Sequence, residues 1–172
     1  MGIVHSFNTA QKIRSSLTRK DDSDLRELCS GIQNAETELI SKAAPLLNQC
    51  AASCQGLCCR NIVLDTIIGL SDFIYILSLD PSFDQSISAC LEDQSFLYSS
   101  NCIFLSGGRG PCIFPPTIRP QLCITTFCSD NPFIRRELTA VKKRFFALEW
   151  FICLKNVEML GRKIMAFMKR SQ

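Results

Sequence analysis

The sequence predicts a mostly α-helical protein: a small helical domain with an irregular, cysteine-rich loop region. Apolar residues recur every three or four positions in two long segments, the spacing of amphipathic helices. Glycine and proline are concentrated in residues 99–130, where their density excludes a long helix. The chain has 172 residues and is 47 % apolar, which is enough for one compact core.

The N-terminal part is expected to be a basic arm followed by a long helix. We predict a flexible arm at residues 1–20 and a single domain at 21–172. Acidic residues between Asp21 and Asp24 favour a helix start, because they face its positive end. The helix should be about 25 residues long, with one apolar stripe. The stripe consists of Leu25, Leu28, Ile32, Ala35, Leu39, Ala43 and Leu46. Pro45 is expected to kink or end this helix.

A second helix is predicted at about residues 61–79 and a short one at about 84–95. Asp65 and Asp72 lie seven positions apart and share a helix face, which predicts a wet edge on the second helix. Two carboxylates are costly in hydrocarbon, so this segment is not expected to span a membrane.

The last helix is predicted at about residues 132–169. Its apolar stripe changes phase partway along: Leu138, Val141, Phe145, Leu148 and Ile152, then Val157, Leu160 and Ile164. Trp150 and the neighbouring Phe146 and Phe151 are expected in the core. The length of this helix suggests pairing with the N-terminal helix or with a second chain, so the long terminal helices are the expected surface for a protein partner.

Eleven cysteines are the outstanding feature of the composition. An odd number cannot pair fully within one chain, and the N-terminus lacks the apolar run of a signal peptide. We therefore expect a reducing, cytoplasmic setting, where clustered thiols are typical of metal or redox sites. Eight cysteines form two groups of expected metal ligands: Cys50, Cys54, Cys58 and Cys59, then Cys102, Cys112, Cys123 and Cys128. Cys29 and Cys153 are expected to be buried as small apolar residues.

Spacing indicates how the first group would chelate. Positions four apart share a helix face, so Cys50 and Cys54 can hold one ion together. Gly56 allows a turn that brings Cys58 or Cys59 to the same ion. Four thiolates suit zinc or a four-iron cluster, and spacing does not choose between them. The loop of residues 99–130 is long enough to need an external tie, which metal-bound cysteines would supply.

Other residues narrow the functional classes. His5 is the only histidine, which argues against a histidine-rich site or a Cys–His nucleophile pair. The net charge of +3 gives no case for nucleic acid as a partner. The glycines at 106–110 match no phosphate-binding fingerprint and predict a turn, within a small hairpin or irregular loop.

The cysteine motifs also occur in a recognisable order. Cys54 to the Cys58-Cys59 pair is followed by Cys102-Ile103-Phe104-Leu105, a glycine turn, Cys112-Ile113, Arg119-Pro120, Cys123 and Cys128. This order resembles the YkgJ-type cysteine-cluster family, described as a zinc- or iron-chelating domain, over about residues 50–130. The resemblance implies metal binding in a cytoplasmic protein. It also implies a cofactor-binding role for Arg119, facing the charge of the cluster or a substrate anion; a salt bridge that pins the loop is equally open.

Three functions follow as expectations. The first is an iron–sulfur protein, with a 4Fe-4S cluster, in electron transfer or a cofactor-dependent modification reaction. The second is a zinc-stapled structural or protein-interaction module. The third is a metal-delivery protein. Whether the protein is an enzyme stays open at this stage.

Overall fold

The computed structural model describes residues 2–54, 59, 62–92, 101–108, 111–127 and 131–170, except for the side chains at 49–54 and 162–170. The α-helices within these ranges are α1 (Ile3–Ser16), α2 (Arg19–Cys54), α3 (Leu64–Ile67), α4 (Leu70–Leu79), α5 (Phe83–Glu92), α6 (Gln121–Thr125) and α7 (Arg135–Arg170). Short 3-10 turns occupy Ser106–Gly108 and Pro132–Ile134. The mostly α-helical fold is therefore confirmed.

The two long helices, α2 and α7, pack along each other in opposite directions. Near the start of α2, the Asp21 carboxylate lies 2.8 Å from Nζ of Lys155. Further along α2, Lys42 pairs with Glu137 in the first turn of α7. The predicted apolar stripe of α2 forms much of the buried face between the helices. Pro45 does not end α2, which continues to Cys54.

Helix α4 lies at the centre of the fold and is buried from Asp72 to Ser78. The Phe73 ring packs edge-on against Phe7 of α1 at 5.3 Å, and Tyr75 packs against Phe145 of α7 at 5.2 Å. A helix that is apolar all round belongs inside a protein, which explains this position.

The predicted helix at 61–79 is divided into α3 and α4 at Gly69. The Asp72 side chain accepts a hydrogen bond from Gly69 N–H at 2.8 Å, which starts α4 afresh. Asp72 is buried rather than at a wet edge, so that expectation is wrong for this residue. Asp65 is exposed, and its carboxylate accepts the Ile3 N–H at 2.6 Å.

The expected flexible arm is wrong for residues 3–16, which form α1. Phe7, Ala10 and Ile13 are buried, and α1 packs against α4. These apolar residues lie at helical spacing, so the arm contributes one face to the core.

Helix α7 has two apolar faces, and only one is buried. Val141, Phe145 and Leu148 face the core as predicted. Phe146 and Trp150 point to solvent, so their assignment to the core is wrong. Only one face of α7 can pack against α2. Val141, Phe145 and Leu148 already form that face, so Phe146 and Trp150 are left in solvent.

The remaining expectations concern two isolated cysteines, the short helix after α4 and the possibility of a membrane span. Cys29 is buried as expected, whereas Cys153 is exposed, because it lies on the outward face of α7. The short helix predicted at about 84–95 is present as α5 (Phe83–Glu92), and positions 93–95 of the predicted range lie outside the described residues. Among the helices that the structure describes, none combines the length and the apolar character needed to cross a membrane.

Candidate metal centre

The eight predicted ligands divide by how much of each the structure describes. Cys50 and Cys54 lie in the last part of α2, with side chains outside the described set. Cys58 and Cys128 lie outside the described residues. The other four are thiols, and we call them the thiol cluster: Cys59, Cys102, Cys112 and Cys123.

The two cysteine groups meet at the backbone. The N–H of Cys102 donates a hydrogen bond to the carbonyl oxygen of Cys59, with an N···O distance of 2.8 Å. This contact joins residues 43 positions apart in the sequence. The end of the first group therefore lies directly beside the start of the second.

Cys102 and Cys112 lie on the two arms of a small hairpin. Leu105 and Cys112 form an antiparallel bridge, and Ile113 N–H donates to the Phe104 carbonyl at 2.9 Å. Gly107 at the tip has a φ of 58°, a left-handed conformation that glycine adopts without strain. Of the two alternatives expected for this segment, a small hairpin or an irregular loop, the described residues form the hairpin.

The tripeptide Cys-Ile-Phe occurs once on each arm and places each thiol in the same local setting. The backbone N–H of Phe104 donates to the Cys102 thiol, and that of Phe114 donates to the Cys112 thiol. The two phenylalanine rings are buried, with centroids 5.0 Å apart. Such N–H···S bonds favour the thiolate form that ligates metals.

Burial acts on the pKa values of these two thiols in the opposite direction to the hydrogen bonds. It raises the pKa of the Cys102 thiol to about 11, although the Phe104 N–H lowers it. It also raises the pKa of the Cys112 thiol, against the lowering effects of the Phe114 N–H and the Arg119 charge. Without a bound cation these two thiols are therefore held in the neutral form at neutral pH.

Cys123 is carried by α6, whose first turn is tied to the core. The N–H of Gln121 donates to the second carboxylate oxygen of Asp72 at 2.7 Å. The Cys123 side chain reaches the surface, yet the protein atoms around its thiol withdraw it from water enough to raise its pKa. Negative charge on Asp72 and on the other three thiols of the cluster raises it further. The Cys123 thiol is thus within electrostatic reach of the other three.

Arg119 lies beside the thiol cluster, in the segment between Cys112 and Cys123. Its positive charge lowers the pKa of Cys112, after the larger effects of burial and the Phe114 N–H. The Nε atom of Arg119 is buried and donates to no acceptor among the described atoms. The role implied by the resemblance stays a prediction, and this arginine is close enough to the thiols to fulfil it.

A buried polar network, which was not predicted from the sequence, lies next to the cluster. Glu36 of α2 is fully buried, and its Oε2 accepts the Tyr75 hydroxyl at 2.8 Å. Tyr75 also approaches the Thr117 carbonyl at 3.4 Å. Burial raises the pKa of Glu36 to about 8 and that of Asp72 to about 6. Glu36 directly follows Ala35, a member of the apolar stripe of α2, and this position in the sequence was the sign that its side chain could be buried.

The sulfur atoms of the thiol cluster are the kind of ligand that a metal–thiolate centre requires. Among the described side chains, no group of three or more His, Cys, Asp or Glu is arranged to hold a metal ion. Four of the eight expected ligands, Cys50, Cys54, Cys58 and Cys128, have side chains outside the described set. His5 lies exposed on α1.

No family model, curated protein or solved structure matches this chain. The resemblance to the YkgJ-type family therefore stays a prediction based on the residues quoted above.

Proposed function

We propose that this is a metal-binding protein whose clustered cysteine thiolates hold an iron–sulfur cluster. The observation that carries the proposal is the hydrogen bond between Cys102 and Cys59, which brings two distant cysteine groups together. An iron–sulfur cluster is held by Cys thiolates, often with ligands from separate parts of the chain. The order of motifs that resembles the YkgJ-type family gives separate support.

The local chemistry of the thiols supports anionic ligands. N–H groups directed at sulfur and a nearby guanidinium both stabilise negative charge on a metal–thiolate centre. The hairpin supplies the first at Cys102 and Cys112, and Arg119 supplies the second. A bound cation would offset the burial that otherwise keeps these thiols protonated.

The role proposed for the cluster is electron transfer or a modification reaction carried by the cofactor itself. We further propose a cytoplasmic location, where thiols stay reduced.

Zinc is the second candidate. Its support is the chemistry of the donors, since the four members of the thiol cluster are all cysteines and Cys102 among them is buried. Closed four-thiolate zinc sites are structural, so such a protein would be an interaction module rather than a redox protein.

The test is to purify the full chain without oxygen and to measure iron, acid-labile sulfide, zinc and visible absorption. The proposal expects a brown protein that contains iron and sulfide. Cys102→Ser and Cys112→Ser should lose most of the metal, whereas Cys153→Ser, on the outward face of α7, should keep it. Circular dichroism of each variant shows whether the helices are retained.

The outcomes separate the candidates. A colourless, zinc-loaded protein with the same variant pattern would replace the iron–sulfur proposal with the zinc module. Ready loss of the ion to a weak chelator would favour metal delivery. A folded wild-type protein without metal, or full metal content in both hairpin variants, would overturn metal binding at these cysteines.

A further inference from the structure

The outward face of α7 carries a continuous stripe of exposed apolar side chains, which we call the outer stripe. Its large members are exposed to 68 % (Phe146), 60 % (Trp150), 64 % (Val157) and 60 % (Leu160), and the exposed Cys153 lies among them. Their spacing is four, three, four and three residues. This is the heptad spacing of the a and d positions of a coiled coil.

Contacts on the opposite face of α7 hold the outer stripe away from the protein. Lys155 is anchored to Asp21 at the start of α2, at 2.8 Å. One turn later, the sulfur of Met159 accepts a hydrogen bond from the Ser16 hydroxyl of α1 at 3.0 Å. Helix α7 therefore cannot rotate the outer stripe inward without losing both contacts and the packing of its core face.

The area of the outer stripe is enough for a specific interface. A buried aromatic side chain covers about 150–250 Å², so Phe146 and Trp150 alone expose roughly 250 Å² at the fractions given above. The whole stripe, with Leu154 at 46 % exposure on its flank, amounts to about 500 Å² per chain. Two such stripes would bury about 1,000 Å², the threshold expected of a specific interface.

We propose that the outer stripe is the homodimer interface of this protein and that α7 pairs with α7 of a second copy. A heptad seam needs a partner helix with the same spacing, so that side chains of each helix fill holes in the other. A second copy supplies that partner by symmetry. Helix α7 continues to Arg170, and the sequence keeps the same spacing beyond the described side chains, with Ile164 and Phe167.

The charges beside the stripe favour a protein partner over a membrane surface. Glu149 and Glu158 are exposed next to Trp150 and Val157, and the basic Lys142 and Lys143 are exposed before the first member of the stripe. A helix that lies on an anionic membrane carries Lys and Arg beside its apolar face, and acids there would be repelled. Aromatic residues at the centre of an apolar seam are instead typical of protein interfaces.

Trp150 is the only tryptophan in the chain, so its fluorescence reports directly on the outer stripe. In sedimentation of the full chain, we expect a dimer mass that falls to a monomer mass on dilution. The Trp150 emission maximum should move to longer wavelength over the same concentration range, because the indole becomes exposed.

The decisive variant is Val157→Glu, which places a charge in the seam and keeps the fluorescent reporter. It should weaken dimerisation roughly 30-fold or more, the effect of losing about 2 kcal/mol at an interface centre. Phe133→Glu is the matched control: Phe133 is 89 % exposed, lies before α7 and is outside the stripe. It should keep the wild-type dimer, and circular dichroism should show equal helix content in all three proteins.

Three results would overturn the proposal. One is a monomeric wild-type protein at the highest concentration used. Another is equal dimerisation of wild-type and Val157→Glu proteins. The third is a wild-type monomer that floats with anionic phospholipid vesicles while Val157→Glu does not, because the stripe would then face a membrane. Metal content is measured in parallel, since it should be the same in the dimer and in Val157→Glu.

Discussion

Replacing Glu36 with glutamine would remove the buried carboxyl group while keeping its size and its acceptor for the Tyr75 hydroxyl. In the folded protein, Oε2 of Glu36 accepts that hydroxyl at 2.8 Å, and Oε1 is buried with no partner among the described atoms. A negative charge at this position would be withdrawn from water, and the backbone N–H and the positive charge of Arg119 offset that cost only in part. Burial therefore raises the pKa of Glu36 from an ordinary 4.5 to about 8.

The sign of the effect on stability follows from this shift. Because the folded-state pKa is raised, the contribution of neutral Glu36 is complete below its ordinary pKa and is lost as pH rises toward the folded value. One pH unit between the two values costs at most about 1.4 kcal/mol. Between about pH 6 and about pH 8, the free energy of unfolding should thus fall by about 2 kcal/mol through Glu36 alone. For a chain of 172 residues this lowers Tm by about 6 °C.

The assay is thermal or urea unfolding at several pH values across that window. The wild-type protein should lose stability toward alkaline pH, and Glu36→Gln should show a nearly flat profile. Glu38→Gln is the control, since Glu38 is an exposed carboxyl on the same helix, and it should follow the wild-type profile. If Glu36→Gln retained the wild-type slope, the buried carboxyl would not be the group responsible and the reasoning would fail.

The remaining predictions concern the hairpin and the cysteines. Cys59→Ser should sharply lower metal content and solubility and Cys153→Ser should not, by elemental analysis of oxygen-protected protein; equal metal in both would refute Cys59 as a ligand. Gly107→Ala should lower the free energy of unfolding by about 1 kcal/mol, because alanine is strained at positive φ. The same change at Gly161 in α7 should raise the free energy of unfolding by about 0.5–1 kcal/mol. A loss of stability in both variants would contradict this reasoning. Phe114→Ala should cost about 3–5 kcal/mol in urea unfolding, because it leaves a cavity against the Phe104 ring; a cost below about 1 kcal/mol would show that the ring pair is not part of the core.

Helical periodicity predicted most of the architecture, and its errors have physical causes. The stripe on α2 and the core face of α7 could be read directly, since each is a run of apolar residues at uninterrupted helical spacing. Helix α1 was missed because its basic residues obscured Phe7 and Ile13, which need α4 to pack against. Periodicity also did not show that Phe146 and Trp150 stay exposed, because that depends on how much of α7 the rest of the fold covers.

The meeting of the two cysteine groups was predictable from the sequence, whereas the buried side chains beside them were not. Sequence order indicated that the two groups would meet, and the contact between Cys59 and Cys102 joins them. Glu36 and Asp72 were not predicted as buried, since a carboxylate is normally a sign of exposure. Their burial depends on partners distant in sequence, such as Gln121 for Asp72, and no local pattern encodes that pairing.

These buried side chains change how the loop of residues 99–130 is held. The sequence suggested that metal-bound cysteines tie it down, because glycine and proline exclude a long helix there. The structure supplies other ties: Gln121 is bound to Asp72, and Phe104, Phe114 and Ile118 are buried in the core. A loop anchored at several points by buried side chains does not depend on an ion for its path. A metal at the thiol cluster would then fix the positions of the thiols rather than fold the domain, and the helices should persist when the metal is removed.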